Sequence, residues 1–330
     1  MQRDVNLLWE EHMSVGYKHA DTVYSTALQG SKAASSPIAA SWRRCLDVHG
    51  LDPEQAAMPR TLDAAAFRDA RQRMDHLIAA SAEELDRLFS TVGRSGCCLV
   101  LADSHGVVLE RRSAAGDDGD FRRLGLWQQT EWSEASVGTN GIGTALADER
   151  PVIIHRDQHF LSANIALSCT TAPIRDHRGQ IAAALDISTC RHDVTDLSMT
   201  ILAQAVRDAA LRVEVNLFRM AFAGARIVMI PTVANPTALL AVDGDDLVLG
   251  ATRAARLALQ IDDQAIAAGL PAADALKEKR GEEGDDLHEA ERAALRRVLS
   301  RTKGNVSQAA QLLGISRATL HRKMKRFNIH

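Results

Sequence analysis

The sequence has no long run of apolar residues. Nothing in its 330 residues approaches the roughly 20 consecutive apolar positions that span a bilayer. Residues 1–10 hold Arg3, Asp4 and Glu10 where an exported protein has a basic stretch followed by an apolar one. The sequence therefore predicts a cytoplasmic protein that does not associate with membranes.

Cysteine is scarce, and its spacing is irregular. The five cysteines do not have the spacing of a zinc site, and their odd number argues against a disulfide framework. Buried free thiols are the simplest interpretation, and neither a metal nor a cofactor is predicted. Cys97 and Cys98 are neighbours in a predicted strand, so one is expected to point inward and the other outward. The alternative, a thiol-based redox sensor or a thiol reductase using Cys97, Cys98 and Cys169, requires exposed thiolates of low pKa.

The chain also lacks a phosphate-binding loop. The pattern GxxxxGK[ST] does not occur, and the glycines of residues 132–146 match neither this pattern nor the dinucleotide-binding fingerprint. They indicate a turn leading into a helix that Thr139 or Asn140 caps. We therefore expect no ATPase activity, and no residue is predicted to be catalytic.

Positive charge is concentrated in residues 287–330. This segment carries ten Lys and Arg against Glu289 and Glu291, although the whole chain has a net charge of −3. The rest of the chain is therefore strongly acidic. A basic module on an acidic body is typical of a nucleic-acid-binding protein, because only the module attracts phosphate.

The basic segment has the spacing of a helix-turn-helix domain. A first helix is predicted from Leu287 to Arg301 and a second from Val306 to Leu313, capped by Asn305. Gly314 supplies a left-handed turn, and Ser316 caps a third helix that ends near Phe327. A solvated basic helix is the simpler alternative, but it does not explain the two caps and the glycine turn together.

The third helix is predicted to read DNA. Leu320, Met324 and Phe327 share its inward side, so the opposite side is free to enter the major groove. The residues predicted to contact base edges are Ser316, Arg317, Thr319 and Arg322. The residues predicted to contact phosphates, which fix the register without carrying sequence information, are Lys303, Lys323, Lys325 and Arg326.

Residues 304–329, GNVSQAAQLLGISRATLHRKMKRFNI, resemble the Fis family of helix-turn-helix domains. The resemblance implies DNA binding as a dimer in which the first helices, here Leu287 to Arg301, pack against each other. An architectural protein that bends DNA without sensing is a further alternative, but it leaves residues 1–230 without a purpose.

The preceding part of the chain predicts an α+β fold. Ser81 and Glu84 have the spacing of a capping box and predict a helix that begins there. After Gly96 the pattern changes to short apolar runs separated by turns. The predicted strands are Cys97–Ala102, Val107–Glu110, Val152–Ile154, Thr170–Ile174 and Ile181–Ile187. An antiparallel sheet flanked by helices is expected.

Seven segments in the same order resemble the sensory half of the AcoR-like bacterial activators, over roughly residues 35–250. They are SWRRC (41–45), GLDP (50–53), WSEASVGTNGIGTAL (132–146), HF (159–160), SCTTAPI (168–174), DHRGQIAAALDIS (176–188) and FRMAFAGARIVMIP (218–231). The resemblance implies a GAF sensor domain that binds a small molecule. Activators of this family ordinarily insert an ATPase domain before the Fis-type domain, and this chain has neither room nor motif for one.

Four residues are predicted to line the ligand pocket of the sensor. They are Trp127, Trp132, Asn140 and Cys169. Aromatic and cysteine side chains at such positions are more often part of an ordinary core, which is the simpler interpretation.

Two segments connect sensor and DNA-binding domain. Met199, Leu202, Val206, Ala209 and Val213 alternate in steps of three and four, which indicates either a coiled-coil seam or packing against the sensor. Residues 238–258 are predicted to form a strand, an Asp-Gly turn, a second strand and a helix, and they resemble the opening of a PAS domain. The predicted order is an N-terminal helical region (1–80), a GAF sensor (81–195), a connecting helix (196–222), a partial PAS-like segment (223–276), a flexible linker (277–286) and a Fis-type domain (287–330).

The sequence thus predicts a homodimeric regulator of transcription that is not an enzyme. Its expected partners are double-stranded DNA and a small-molecule effector, and RNA polymerase is a further candidate. Effector binding is expected to shift the population of conformations of the connecting helix and thereby the spacing of the two recognition helices.

Overall fold

The computed structural model describes residues 18–29, 36–55, 58–230, 237–276 and 291–329, the last range without 293, 297, 300, 301 and 303. The chain divides into two compact units, Met1–Ala272 and Ala273–His330. The predicted linker 277–286 lies outside the described residues. No helix in the described ranges combines the length and apolarity needed to cross a membrane.

A five-stranded antiparallel sheet forms the centre of the first unit, with the strand order β3-β2-β7-β6-β5. Its strands are β2 (Cys97–Asp103), β3 (Val108–Arg112), β5 (Val152–His155), β6 (Ser168–Arg175) and β7 (Ile181–Thr189). A separate two-stranded pair joins β1 (Arg60–Thr61) to β4 (Thr130–Glu131). The α+β prediction is confirmed, and each strand of the central sheet lies where the apolar runs predict it.

Helices cover both faces of this sheet. They are α1 (18–28), α2 (Pro37–Asp47), α3 (Ala64–Arg73), α4 (Asp75–Val92), α5 (Asp118–Arg123), α6 (Glu134–Val137), α7 (Gly141–Asp148) and α8 (Asp196–Ala221). Side chains of β2 alternate between two cores, with Cys98 and Val100 in one and Cys97 and Leu99 in the other. Both cysteines are buried. The expectation that one of them points outward is therefore wrong, because each face has its own helical cover.

The core around Cys97 and Leu99 is built with α3, α4 and α8. Helix α4 begins at Asp75, so Ser81 and Glu84 lie inside it and the predicted capping box at Ser81 is wrong. The Ser81 hydroxyl donates to the carbonyl oxygen of Leu77 at 2.7 Å. The carboxylate of Glu84 accepts from Arg212 on α8 at 2.6 Å. Both residues therefore lie within α4 and do not mark its start, and Glu84 joins α4 to α8.

The opposite core joins the N-terminal helices to the sheet. It contains Val23 of α1 and Trp42 of α2 together with Phe121, Trp132 and Phe160. Helix α2 begins at Pro37, and the Trp42 indole Nε1 donates to the Gln158 carbonyl oxygen at 2.9 Å. The helices before residue 48 are therefore part of the sensor core.

The stripe along α8 packs inside one chain. Met199, Val206, Ala209 and Val213 are buried, and Val206, Ala209 and Val213 lie in the core shared with α4 and the sheet. Leu202 packs against the same core. Of the two interpretations of this pattern, packing against the sensor is the one found.

A small three-stranded sheet follows α8, with the order β10-β9-β8. Its elements are β8 (Arg226–Met229), β9 (Leu239–Val242), β10 (Val248–Ala251), α9 (Arg253–Leu259), α10 (Asp263–Ala267) and α11 (Ala272–Ala275). Phe218 at the end of α8 packs against Leu239 and Ala241 of β9. This confirms the predicted strand, turn, strand and helix, and we call residues 226–272 the connector.

The second unit is a helix-turn-helix. Its described helical residues are 291–292, 294–296 and 298–299 (α12), followed by α13 (Val306–Leu312) and α14 (Arg317–Arg326). The core of this unit is Leu295, Leu299, Ala309, Ala310 and Leu320. The small side chains of α13 let α14 cross it closely. Gly314, at φ +64°, makes the left-handed turn that a side chain would strain.

Candidate nucleic-acid interface and sensor core

Two side chains fix the start of α14. The Ser316 hydroxyl caps the helix by accepting from the Thr319 backbone N–H at 3.1 Å, and it lies 2.8 Å from the Thr319 hydroxyl. Such a cap satisfies one of the backbone donors that a helix start leaves unpaired. These contacts stabilise the first turn of the predicted recognition helix. Both hydroxyls already contact each other, although each keeps acceptor capacity for a further partner.

Charged side chains cover the outer side of α14. Arg317, Arg322 and Lys325 are exposed, whereas Leu320 on the inner side is completely buried. Within the described part of the chain, no hydrogen bond or ion pair occupies the side chains of these three residues. Three exposed cations on one side of a capped helix fit a polyanion.

The other residues predicted to contact phosphate differ from Lys325 in their surroundings. The Lys323 ammonium pairs with the Glu291 carboxylate of α12, and both side chains are partly buried. Lys323 therefore links two helices of the unit, a role that the charge pattern alone did not reveal. The Arg326 guanidinium lies 5.6 Å from the centre of the Phe327 ring and is exposed. Lys303 lies outside the described residues.

The two tryptophans predicted for the ligand pocket have different surroundings. Trp132 is 1% exposed, and its indole Nε1 donates to the Gly125 carbonyl oxygen at 3.1 Å. Trp127 is half-buried between two guanidinium groups, Arg111 at 3.8 Å and Arg122 at 4.1 Å from a ring centre of the indole. Stacking of this kind is a cation–π contact. Trp127 is thus held at the rim of the core and Trp132 inside it.

Asn140 shapes the chain at the start of α7. Its Oδ1 accepts from the Gly143 backbone N–H at 2.9 Å, and its Nδ2 donates to the Gly138 carbonyl oxygen at 2.8 Å. The prediction of a glycine turn leading into a capped helix is confirmed, with Asn140 as the cap. Both polar ends of its amide are engaged, and each keeps capacity for one further hydrogen bond.

Cys169 belongs to a group of buried polar side chains that the pocket prediction missed. We call His159, Cys169, Thr171, Asp186 and Ser188 the buried polar cluster. Thr171 and Ser188 donate to the two carboxylate oxygens of Asp186 at 2.5 and 2.6 Å. The Cys169 Sγ lies 3.1 Å from the Ser188 hydroxyl and 3.4 Å from Nε2 of His159.

The hydrogen bonds of His159 fix its proton. Its Nδ1 lies 2.9 Å from the carbonyl oxygen of Arg156, which can only accept, so Nδ1 carries the hydrogen. Burial lowers the pKa of His159 to about 4, which keeps the ring neutral at neutral pH. Nε2 is then an acceptor, and the Cys169 thiol donates to it.

The cluster lies beneath the N-terminus of α7. A Cβ atom added at Gly141 would stand 2.7 Å from the Cys169 Cβ and 2.8 Å from the Asp186 Oδ1. Only glycine permits this approach of helix and sheet. The signal that could have found the cluster is the polar content of the two buried strands, SCTT in β6 and DIST in β7.

Asp186 makes the cluster sensitive to pH. Burial raises the pKa of this carboxyl to about 6, from an ordinary 3.8. Between these values the folded protein holds a proton that the unfolded chain has lost. Stability contributed by this group is therefore present at low pH and is lost as the pH rises towards 6.

We expect Asp186→Asn to change this dependence. The amide can bond to the same hydroxyls, which accept as well as donate, but it does not ionise. Relative to the wild type, the thermal midpoint of the variant should rise between about pH 4 and pH 6 and stay level above that range. A midpoint difference that is the same at every pH would show that Asp186 does not titrate in the fold.

The thiols of Cys97, Cys98 and Cys169 are buried. Burial raises the pKa of Cys97 to about 11 and that of Cys98 to about 12, and it also raises the pKa of Cys169 well above its ordinary value. Protonated, buried thiols react poorly, which argues against the thiol reductase alternative. No cluster of His, Cys, Asp and Glu in the described ranges is arranged to hold a metal ion.

A second buried network holds α2 against the segment 132–146. The Arg44 guanidinium donates to both carboxylate oxygens of Glu134 at 2.5 and 2.8 Å and to Asp148 at 3.0 Å. The Ser41 hydroxyl lies 2.6 Å from both Glu134 and Thr139. Burial opposes the charge of Glu134, but the hydrogen bonds from Arg44 and Ser41 outweigh it and lower the pKa of this carboxyl. Ser41 and Arg44 of the segment SWRRC thus form hydrogen bonds with the glycine-rich segment 132–146.

The chain matches two known domain families. Residues 17–211 match the MimR N-terminal domain, and residues 287–327 match the bacterial regulatory proteins of the Fis family. The described fold of the sensor is shared with the N-terminal part of Escherichia coli DhaR in its complex with DhaL, at a TM-score of 0.51 and 16% identity, over 69% of this chain and 78% of that one.

Curated relatives are regulators of transcription. The acetoin catabolism regulatory protein of Cupriavidus necator is 33% identical over 67% of this chain and 34% of its own length. The propane 2-monooxygenase operon transcriptional activator MimR of Mycolicibacterium smegmatis is 29% identical over 57% of this chain and 33% of its own length. The matches span about a third of these relatives. The predicted resemblance to AcoR-like regulators is confirmed, and the chain belongs to the family of the MimR N-terminal domain, with a Fis-family domain at residues 287–327.

Proposed function

We propose that this protein regulates transcription by binding a specific DNA sequence with α14 while its sensor half responds to a small molecule. The observation that carries the proposal is the recognition helix itself. Its first turn is fixed by Ser316 and Thr319, and its outer side presents Arg317 and Arg322 without partners in the described chain. A capped helix with free guanidinium groups near its start suits the readout of guanine in the major groove.

The remaining predicted contacts are proposed with narrower roles. Lys325 and Arg326 suit phosphates, because they lie exposed in the last turn of α14. Lys323 contributes less to DNA affinity in this proposal, because its ammonium already pairs with Glu291. Phosphate contacts position the helix, whereas the base contacts select the sequence.

The effector is proposed to bind on the side of the sheet that holds the buried polar cluster. Trp132 and Cys169 lie in the same core there, and α1, α2 and α7 cover it. A few polar groups inside an apolar core are what orients a small ligand. Trp127 and Asn140 border this core with their own partners, so we propose them for the rim of the pocket rather than its floor.

Homodimerisation is proposed because two recognition helices bind two half-sites. The main stripe of α8 is occupied by the sensor, so the dimer contact has to come from elsewhere, and the first helix of the Fis-type domain is our candidate. Helix α8 links the sheet to the connector. A shift of α8 with effector binding would therefore change the equilibrium between DNA-binding arrangements. RNA polymerase is the proposed partner at the promoter.

The test is selection of DNA from a random pool by the purified full chain, followed by sequencing of the bound fraction. We expect one enriched sequence with two half-sites related by a two-fold axis. The double variant Arg317→Ala and Arg322→Ala, both at exposed positions, should enrich nothing. Recovery of unrelated sequences by the wild type would contradict sequence-specific binding, and a single half-site would contradict the dimer.

A further inference from the structure

A cavity of about 350 Å³ lies where the sensor meets the connector. Its walls come from the β6–β7 turn, from the residue that ends α8, and from β10, α9 and α10. Small-molecule sites have volumes of about 300–1,000 Å³, so the cavity is large enough for a small organic molecule. It is distinct from the core that holds the buried polar cluster.

One wall of the cavity is apolar. The Phe222 ring forms it with Leu249 and Ile266. The tip of the ring lies against Gly250, where a Cβ would collide with it. His177 meets the same ring edge-on, with 5.8 Å between ring centres. These contacts hold an apolar surface open at the junction.

Two guanidinium groups, those of Arg178 and Arg256, also line the cavity. Arg256 is 15% exposed and is held by its Nε bond to the Ala251 carbonyl oxygen at 2.9 Å and by its pair with Asp263 at 2.7 Å. Arg178 is exposed, and in the described part of the chain its guanidinium makes no hydrogen bond or ion pair. Two guanidinium groups against one carboxylate leave a net positive charge. The free fork of Arg178 matches the two oxygens of a carboxylate.

We propose that this cavity binds a small organic monocarboxylate, with its carboxylate on Arg178 and Arg256 and its apolar body against Phe222. The site goes beyond the proposed function, since neither the DNA contacts nor the effector core contributes to it. Its occupant touches the sensor turn and the connector at once. Binding would therefore favour arrangements in which the two are in contact.

The probe for this site is benzoate, titrated into the full chain at low salt by calorimetry, with benzyl alcohol as the uncharged control and inorganic phosphate as an anion without an apolar body. We expect saturable binding of benzoate, and binding of each control weaker by at least about tenfold. Arg178→Gln should weaken benzoate binding by about tenfold or more, whereas Arg68→Gln, an exposed position on α3, should leave it unchanged.

A second pair of variants tests the apolar wall. Leu249 is 47% exposed, so the fold tolerates a polar side chain there. Leu249→Glu places a negative charge beside the ligand and should abolish benzoate binding, whereas Leu249→Gln should retain most of it. Lack of saturation below about 10 mM benzoate, equal binding of phosphate, or binding that neither Arg178→Gln nor Leu249→Glu weakens would each overturn the proposal. DNA binding measured on the same samples shows separately whether the proposed function stands.

Discussion

Replacing Arg44 by methionine is expected to lower the free energy of unfolding of the first unit by about 3–5 kcal/mol, because it leaves the carboxylate of Glu134 buried without its cation. The Glu134 side chain is 3% exposed. Its remaining hydrogen bonds, from the hydroxyls of Ser41 and Thr144, do not neutralise the charge. Urea unfolding followed by tryptophan fluorescence measures the effect on this unit alone, since all four tryptophans, the last of which is Trp132, precede the second unit.

A matched control lies next to it in the sequence. Arg43 pairs with Asp47 across one helical turn, and both side chains are more than half exposed. Exposed pairs of this kind contribute about 0.3–0.5 kcal/mol, so Arg43→Met should change stability by no more than that. Equal losses for the two variants would show that the Arg44–Glu134 pair behaves like a surface ion pair.

The loss caused by Arg44→Met should also depend on pH. In the wild type the pKa of Glu134 is lowered, so the stability that this group contributes is present above its unfolded pKa and is lost as the pH falls through the folded value. In the variant, burial without a cation raises the pKa instead, and protonation at low pH relieves the buried charge. The difference between the two proteins should therefore shrink on acidification. The double variant Arg44→Met and Glu134→Gln should recover much of the loss at neutral pH.

The sequence predicted those parts of the fold that depend on neighbouring residues. Strands β2 and β7 follow from short runs that are mostly apolar, and the helix-turn-helix follows from Asn305, Gly314 and Ser316, whose caps and turn are local structures. Each of these features needs only a few consecutive residues. Local signals of this kind are independent of the rest of the fold.

The predictions failed for features that depend on contacts between segments distant in the sequence. Ser81 and Glu84 have capping-box spacing, but the same spacing arises inside a helix, where a serine hydroxyl bonds back to the preceding turn. Lys323 is exposed in an isolated helix, and only the packing of α12 brings Glu291 to it. The partners in the buried polar cluster come from two strands and the loop between β5 and β6. Strand pairing, which the sequence does not encode locally, brings them together.

Arg317→Ala is expected to reduce the preference for the selected DNA over random DNA by about 1–3 kcal/mol, roughly five- to 150-fold, because a bidentate arginine–guanine contact has that value. The residue stands in the first turn of α14, directly after the Ser316 cap. Its exposed guanidinium pairs with no residue of the described chain. It can therefore reach a base edge without first breaking a bond, and the fold should survive its removal.

The comparison with Lys325→Ala separates recognition of the base sequence from sequence-independent binding to phosphate. Lys325 lies in the last turn of the same helix and is also exposed, so it should contact phosphate. Its loss should weaken binding to both DNAs alike and make the salt dependence of log K shallower by about 0.9. Fluorescence anisotropy at several salt concentrations measures both quantities. If Arg317→Ala weakens selected and random DNA equally, as a phosphate contact does, Arg317 does not read a base and the recognition surface has to be sought further along α14, at Arg322.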